Sequence, residues 1–148
     1  MHDYSKRPEM HILMADDDKD DFYILQEAAE KAGSQFKISY AANWMDLWRS
    51  VLKALPDLIF LDLNMPVKDG FECLELLRKE SKYDSVPIII YSTSVSKSDI
   101  DKAYKHGANY FVVKPNSLDE IAGVLKKLYS LGKEALTIMP AREEFVII

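Results

Sequence analysis

Five of the six residues from Asp16 to Asp21 are aspartates. Two like charges about 4 Å apart repel by roughly 4 kcal/mol at an effective dielectric near 20, so a folded chain keeps such a cluster only where something absorbs the charge. A helix start is one such place, because carboxylates there accept bonds from free N–H groups and suit the helix dipole. Asp18, Asp20 and Asp21 are read this way. Asp16 and Asp17, directly after the apolar run MHILMA, admit the same reading or a second one, a cradle for a hard divalent cation. Asp62 favours the cradle. It closes the apolar stretch LIFLDLNMP, where an unpaired carboxylate would be costly. Ser92 at the end of IIIYS and Lys114 at the end of YFVVK add a hydroxyl and a fixed cation. Alone, each has an ordinary reading, as a strand-end hydroxyl and as a solvated lysine before Pro115.

Chain topology must bring these positions together. Apolar runs alternate with segments of helical period. MHILMA precedes DKDDFYILQEAAEKAG, in which Phe22, Leu25, Ala28, Ala29 and Ala32 form one stripe and Gly33 ends the helix. FKISYAA precedes a helix with Trp44, Leu47, Val51 and Leu55 on one face, stopped by Pro56. DLIFLDL, VPIIIYST and NYFVVKP each lead into a further helical segment, giving five βα units. LIFL, PIIIY and YFVV are too continuously apolar for strands with one wet face. They indicate an α/β fold, a doubly wound parallel sheet covered by helices on both sides.

In such folds functional groups gather beyond the carboxyl ends of the strands. Asp16, Asp17, Asp62, Ser92 and Lys114 all fall at those ends. Their carboxylates would repel one another unless cations intervene. Lys114 offers one charge, and Mg²⁺, which takes one or two carboxylates together with water and phosphate oxygens, would offset two. An attacking carboxylate, a metal site, a hydroxyl and a lysine are the parts needed to receive a phosphoryl group on oxygen.

On the motifs ADDD, LDLNMPVKDGFE, YSTS and VVKP, in this order over residues 10–131, the chain resembles a response-regulator receiver domain of two-component signalling. The resemblance implies a flavodoxin-like fold with five parallel strands in the order 2-1-3-4-5. It further implies that Asp62 is the phosphoacceptor for a sensor histidine kinase. Asp17 binds Mg²⁺ directly, Asp16 acts largely through metal-bound water, and the Asn64 carbonyl is a further ligand. Ser92 bonds a phosphoryl oxygen on switching, Lys114 pairs with the phosphoryl group, and Phe111 holds the aromatic switch position, where many relatives carry tyrosine. Thr93 stands where a smaller residue is common, which narrows access to the aspartate. Such a protein is a stoichiometric phosphoacceptor rather than an enzyme acting on external substrates. The STS stretch and the acidic first loop resemble small stand-alone receivers that pair with bacteriophytochrome-type kinases.

The rest of the chain fits this outline. With 148 residues and 48% hydrophobic content there is material for one domain with its own core. Residues 1–9 form an N-terminal extension and 132–148 a C-terminal tail. The single cysteine, Cys73, offers no intramolecular disulfide, and no apolar run is long enough for secretion or membrane spanning, so the cytoplasm is expected. A net charge of −5 without a basic stripe argues against direct DNA binding. Output is therefore expected through a downstream protein or a histidine phosphotransfer partner. The terminal FVII has three readings: an unstructured tail, a strand added to a sheet edge, or a clasp in a homodimer. Packing or partner contact is favoured over permanent solvation. His2, His11 and His106 are read as surface or edge residues, and Cys73 and Met65 as packing. An aspartate-nucleophile phosphatase would need an acid two residues after Asp62, where Asn64 stands. A flavin carrier would need a first loop free of carboxylates to hold phosphate.

Overall fold

The structure, a computed structural model, describes residues 9–147. His2, Ile148 and nearly all of the expected N-terminal extension lie outside the described residues. Strands β1 (Met10–Ala15), β2 (Phe36–Ala41), β3 (Leu58–Leu61), β4 (Ile88–Ser92) and β5 (Tyr110–Val113) alternate with helices α1 (Lys19–Lys31), α2 (Trp44–Lys53), α3 (Gly70–Arg78), α4 (Lys97–Lys105) and α5 (Leu118–Leu136), and a short β6 (Val146–Ile147) follows. All pairings are parallel, in the order β2-β1-β3-β4-β5-β6. The expected doubly wound sheet and its 2-1-3-4-5 order are present, with one strand added beyond β5.

Each inner strand divides its side chains between two cores. Leu13, Ile59, Leu61, Ile88, Ile90 and Phe111 face α2, α3 and α4, while Ile12, Met14, Leu58, Phe60, Ile89 and Val112 face α1 and α5. Burial on both faces explains why these strands read as unbroken apolar runs.

The helices begin on side-chain caps from Asp18, Asn43, Asp69, Ser96 and Ser117. Helix α1 ends as expected at Gly33. Its positive φ of 117° lets the Gly33 and Ser34 N–H groups reach back to the Glu30 and Ala29 carbonyls. Helix α2 ends earlier than the apolar spacing implies. Leu47 and Val51 are buried, but Ala54 is already extended and Leu55 is exposed. Leu55 precedes Pro56, and the proline ring disfavours helical backbone at the residue before it.

The C-terminal segment needs a correction. The boundary after residue 131 falls inside α5, which breaks at Gly132 (φ 82°) and resumes to Leu136. The segment then turns back so that β6 pairs with β5, the Phe111 N–H donating to the Phe145 carbonyl at 3.0 Å. Phe145 is fully buried, its ring 5.0 Å from Tyr104 and 6.4 Å from Phe111. The Tyr104 hydroxyl donates to the Pro140 carbonyl at 2.8 Å, and the Arg142 guanidinium holds Asp101 at 2.7 Å. Of the three readings of FVII, the structure shows a strand on the sheet edge of its own chain. The tail is part of the packed unit. Phe145→Ala should therefore cost about 3 kcal/mol, whereas truncating the exposed Glu143 should change stability by less than roughly 0.5 kcal/mol. Urea denaturation of both variants checks this, and equal midpoints would contradict the packing.

Candidate functional site

The carboxyl ends of β1, β3, β4 and β5 bring Asp16, Asp17, Asp62, Ser92 and Lys114 to one edge of the sheet. Oxygens of Asp16, Asp17 and Asp62 lie within 4.8 Å of one another, with Asp17 exposed and the other two buried. Asp16 is held from two sides: one oxygen accepts the Asp18 N–H at 2.9 Å and the other accepts the Lys114 ammonium at 2.9 Å. That ammonium is 3.8 Å from Asp62 Oδ2 and lies over the Tyr91 ring, 5.5 Å from its centroid. Tyr91 in turn stacks on Phe60.

Electrostatics follow from this packing. Burial, reinforced by the charges of Asp16 and Asp17 and opposed by Lys114 and the Asn64 N–H, pushes the Asp62 carboxyl up to about 6. Burial also raises Asp16, against the bonds from Lys114 and Asp18. For Lys114, burial disfavours the charged form, but its bonds to Asp21 and Asp16 and the charge of Asp62 outweigh it and hold the ammonium above its usual range.

Asp21 is the functional contact that sequence reasoning missed. It stands in the first turn of α1, as expected for an acid at a helix start, yet its Oδ2 accepts the Lys114 ammonium at 2.7 Å. Asp18 keeps the helix-start role, accepting the Asp20 N–H at 3.0 Å. Nothing in the local spacing distinguishes Asp21 from its neighbours; only the position of Lys114 does.

The remaining site residues surround this group. Ser92 is fully buried, and its hydroxyl accepts the Ser94 N–H at 3.2 Å. Thr93 is exposed beside it. Asn64 lines a cleft with Asp17, Met65, Asp69 and Asp99. Phe111 is fully buried in the core on the α4 side. Gly70 opens α3 against the chain leaving β3, where a Cβ would stand 2.7 Å from Leu63 Cα, so only glycine allows this approach. Between them, Val67 is 98% exposed with a φ of 67°, at the centre of a tight turn closed by the Lys68 N–H on the Pro66 carbonyl. A β-branched residue is strained there. His11, bonded to Ser39, sits on β1, and His106, paired with Glu75, caps the end of α4. Neither joins the carboxylate group. Cys73 is buried, its thiol toward the Lys68 carbonyl, and Met65 is buried in the same core.

Residues 12–126 match the profile of the response regulator receiver domain. The chain belongs to this family. Among its curated relatives, this receiver is 29% identical to the response regulator Rre1 of Synechocystis over 79% of its own length and 50% of that protein. It is 26% identical to the response regulator Rcp1 of the same organism, covering 95% of this chain and 100% of that one. The receiver thus spans about half the length of Rre1 and the whole of Rcp1. Among solved structures it superposes on the response regulator RPA3017 in red light signaling of R. palustris with a TM-score of 0.78 at 25% identity, covering 89% of this chain and 99% of that one. The phosphorylated cyanobacterial phytochrome response regulator RcpA aligns with a TM-score of 0.74 at 25% identity, covering 83% and 93%.

Two predictions concern the site alone. In metal-free protein the folded state keeps the Asp62 proton up to about pH 6, against an ordinary value of 3.8. Between those values the folded chain binds more protons than the unfolded one, so stability falls as pH rises from about 4 to about 6. Asp62→Asn removes that loss and should stabilise the metal-free protein at pH 7 by roughly 2 kcal/mol, while Mg²⁺ should raise the melting temperature of the wild type more than that of the variant. Melting series across this pH range, with and without Mg²⁺, check both; identical responses would remove Asp62 from the site. Separately, Val67→Asn should add about 1 kcal/mol by relieving the left-handed strain, measured by the same denaturation, and a loss of stability would contradict it.

Proposed function

We propose that this receiver accepts a phosphoryl group on Asp62 from a sensor histidine kinase, in a Mg²⁺-dependent reaction, and thereby switches protein contacts or passes the group along a relay. The observation that carries this reading is the placement of a buried carboxylate, Asp62, within reach of both an ammonium and two further carboxylates. Three converging hard oxygen donors, two of them desolvated, suit a divalent cation of the Mg²⁺ type. Asp17 and Asp62 would hold it directly, Asp16 through water, and the Asn64 carbonyl as a further ligand. When bound, the ion supplies two positive charges against the carboxylates and the incoming phosphoryl oxygens.

The chain's own groups perform the rest. Asp62, mostly ionised at neutral pH despite its raised value of about 6, attacks phosphorus with one carboxylate oxygen. The P–N bond of the phosphohistidine breaks, and its electron pair returns to the imidazole nitrogen. Lys114 pairs with the transferred group. The Ser92 hydroxyl turns from the Ser94 N–H to donate to a phosphoryl oxygen, and Phe111 follows within the core. In this reading the protein is consumed and regenerated stoichiometrically rather than turning over an external substrate.

Its partners are a kinase of phytochrome type, supported by the likeness to RcpA and RPA3017, and a downstream protein or histidine phosphotransfer protein. A net charge of −5 disfavours direct DNA contact, and no helix among the described residues is long and apolar enough to cross a membrane. The cytoplasm is the proposed location. Incubation with acetyl phosphate or a histidine kinase should give Mg²⁺-dependent label that hydroxylamine releases. Asp62→Asn should abolish it with the fold intact, and Lys114→Ala should leave attack possible but impair the response. Undiminished label in folded Asp62→Asn, mapped to a serine or histidine, would overturn the assignment.

A further inference from the structure

We infer that Asp21 is a positioning residue that competes with the phosphoryl group for Lys114, so that phosphorylation exchanges one carboxylate partner of that lysine for the phosphate. The inference rests on the reading of Asp62 as acceptor. An ammonium has three donors. In this structure Asp21 at 2.7 Å and Asp16 at 2.9 Å take two of them, and Asp62 at 3.8 Å lies beyond hydrogen-bond range. The Tyr91 ring backs the ammonium, and the lysine side chain is only 12% exposed, which restricts its approach to phosphate. The third donor is left for a phosphoryl oxygen, but the two short bonds hold the ammonium 3.8 Å from Asp62, so closing on a group carried there draws Lys114 away from its two carboxylates.

The two are unequal. Asp16 is 1% exposed, and losing the lysine would leave it buried with a single backbone donor. The Asp21 side chain is 28% exposed on the first turn of α1 and can exchange the lysine for water. Asp21 is therefore the partner that yields. Its bond sets a threshold: as Lys114 closes on the phosphorylated site it gives up a charge-assisted hydrogen bond to Asp21, and the first turn of α1 loses its tie to the end of β5. No bond to phosphorus is made or broken by Asp21 itself.

The test uses beryllofluoride, a phosphoryl mimic that binds reversibly, in the presence of Mg²⁺. Asp21→Asn should tighten its binding by about three- to tenfold, the worth of one partly exposed charge-assisted hydrogen bond. Asp21→Glu, which keeps the carboxylate, should return affinity toward the wild type. Asp20→Asn removes the same charge from an exposed neighbour that does not touch Lys114 and should leave affinity within about twofold, since exposed charges are screened. Equal shifts in Asp21→Asn and Asp20→Asn, or no tightening in Asp21→Asn, would overturn the inference while leaving Asp62 as acceptor. A wild type that neither binds beryllofluoride nor takes label at Asp62 would overturn the functional reading and this inference together.

Discussion

A single ammonium group holds the site end of the sheet together. Lys114 leaves the end of β5 and meets Asp16 from β1, Asp21 from α1 and Asp62 from β3, at 2.9, 2.7 and 3.8 Å. Without that charge, two buried carboxylates would face each other with little solvent between them, at a cost of several kcal/mol on the scale of like charges in contact. With it, three strand ends and a helix start share one electrostatic tie. One ammonium still faces three carboxylates, and burial, with the charges of Asp16 and Asp17 behind it, keeps the Asp62 carboxyl raised despite Lys114. A site with more carboxylates than ammonium groups is one that gains from a divalent cation.

The path from this site into the core is short. Ser92 ends β4 beside it, and the Lys114 N–H donates to the Ser92 carbonyl at 2.8 Å, locking the ends of β4 and β5 in register. Three residues before Lys114, Phe111 lies in the core against Phe145. A change in what Lys114 and Ser92 bind is therefore applied directly to a strand whose outer neighbour is β6, with well-packed aromatic rings between. Close packing transmits such displacements because there is little free volume to absorb them.

Much of this was legible in the sequence, for reasons that differ by element. The inner strands announced themselves because burial on both faces leaves no polar alternation, and parallel topology then placed residues far apart in sequence at one edge. Asp16, Asp17, Asp62, Ser92 and Lys114 could be grouped on that basis alone. What escaped depends on tertiary context. Asp21 has the same local signature as any acid in a first helical turn, and its second role exists only because Lys114 arrives from 93 residues away. The end of α2 before Leu55 was written in Pro56 but masked by a well-spaced apolar position. The two residues of β6 are too few to show a period, and an apolar terminus reads equally well as tail, clasp or strand until the edge it covers is known.

That sixth strand bears on where the chain can be cut. The outer edge of β5 consists of Tyr110, Phe111, Val112 and Val113, and β6 pairs along it in register with Phe111 and Val112. A protein trimmed after Leu131, at the boundary the five βα units imply, would leave this edge with unpaired N–H and C=O groups beside a face from which Phe145 had been removed. Short apolar edges without charge, proline or bulge are templates for pairing with other chains. Here the last few residues act as a selvedge, finishing the sheet so that it does not aggregate edge to edge.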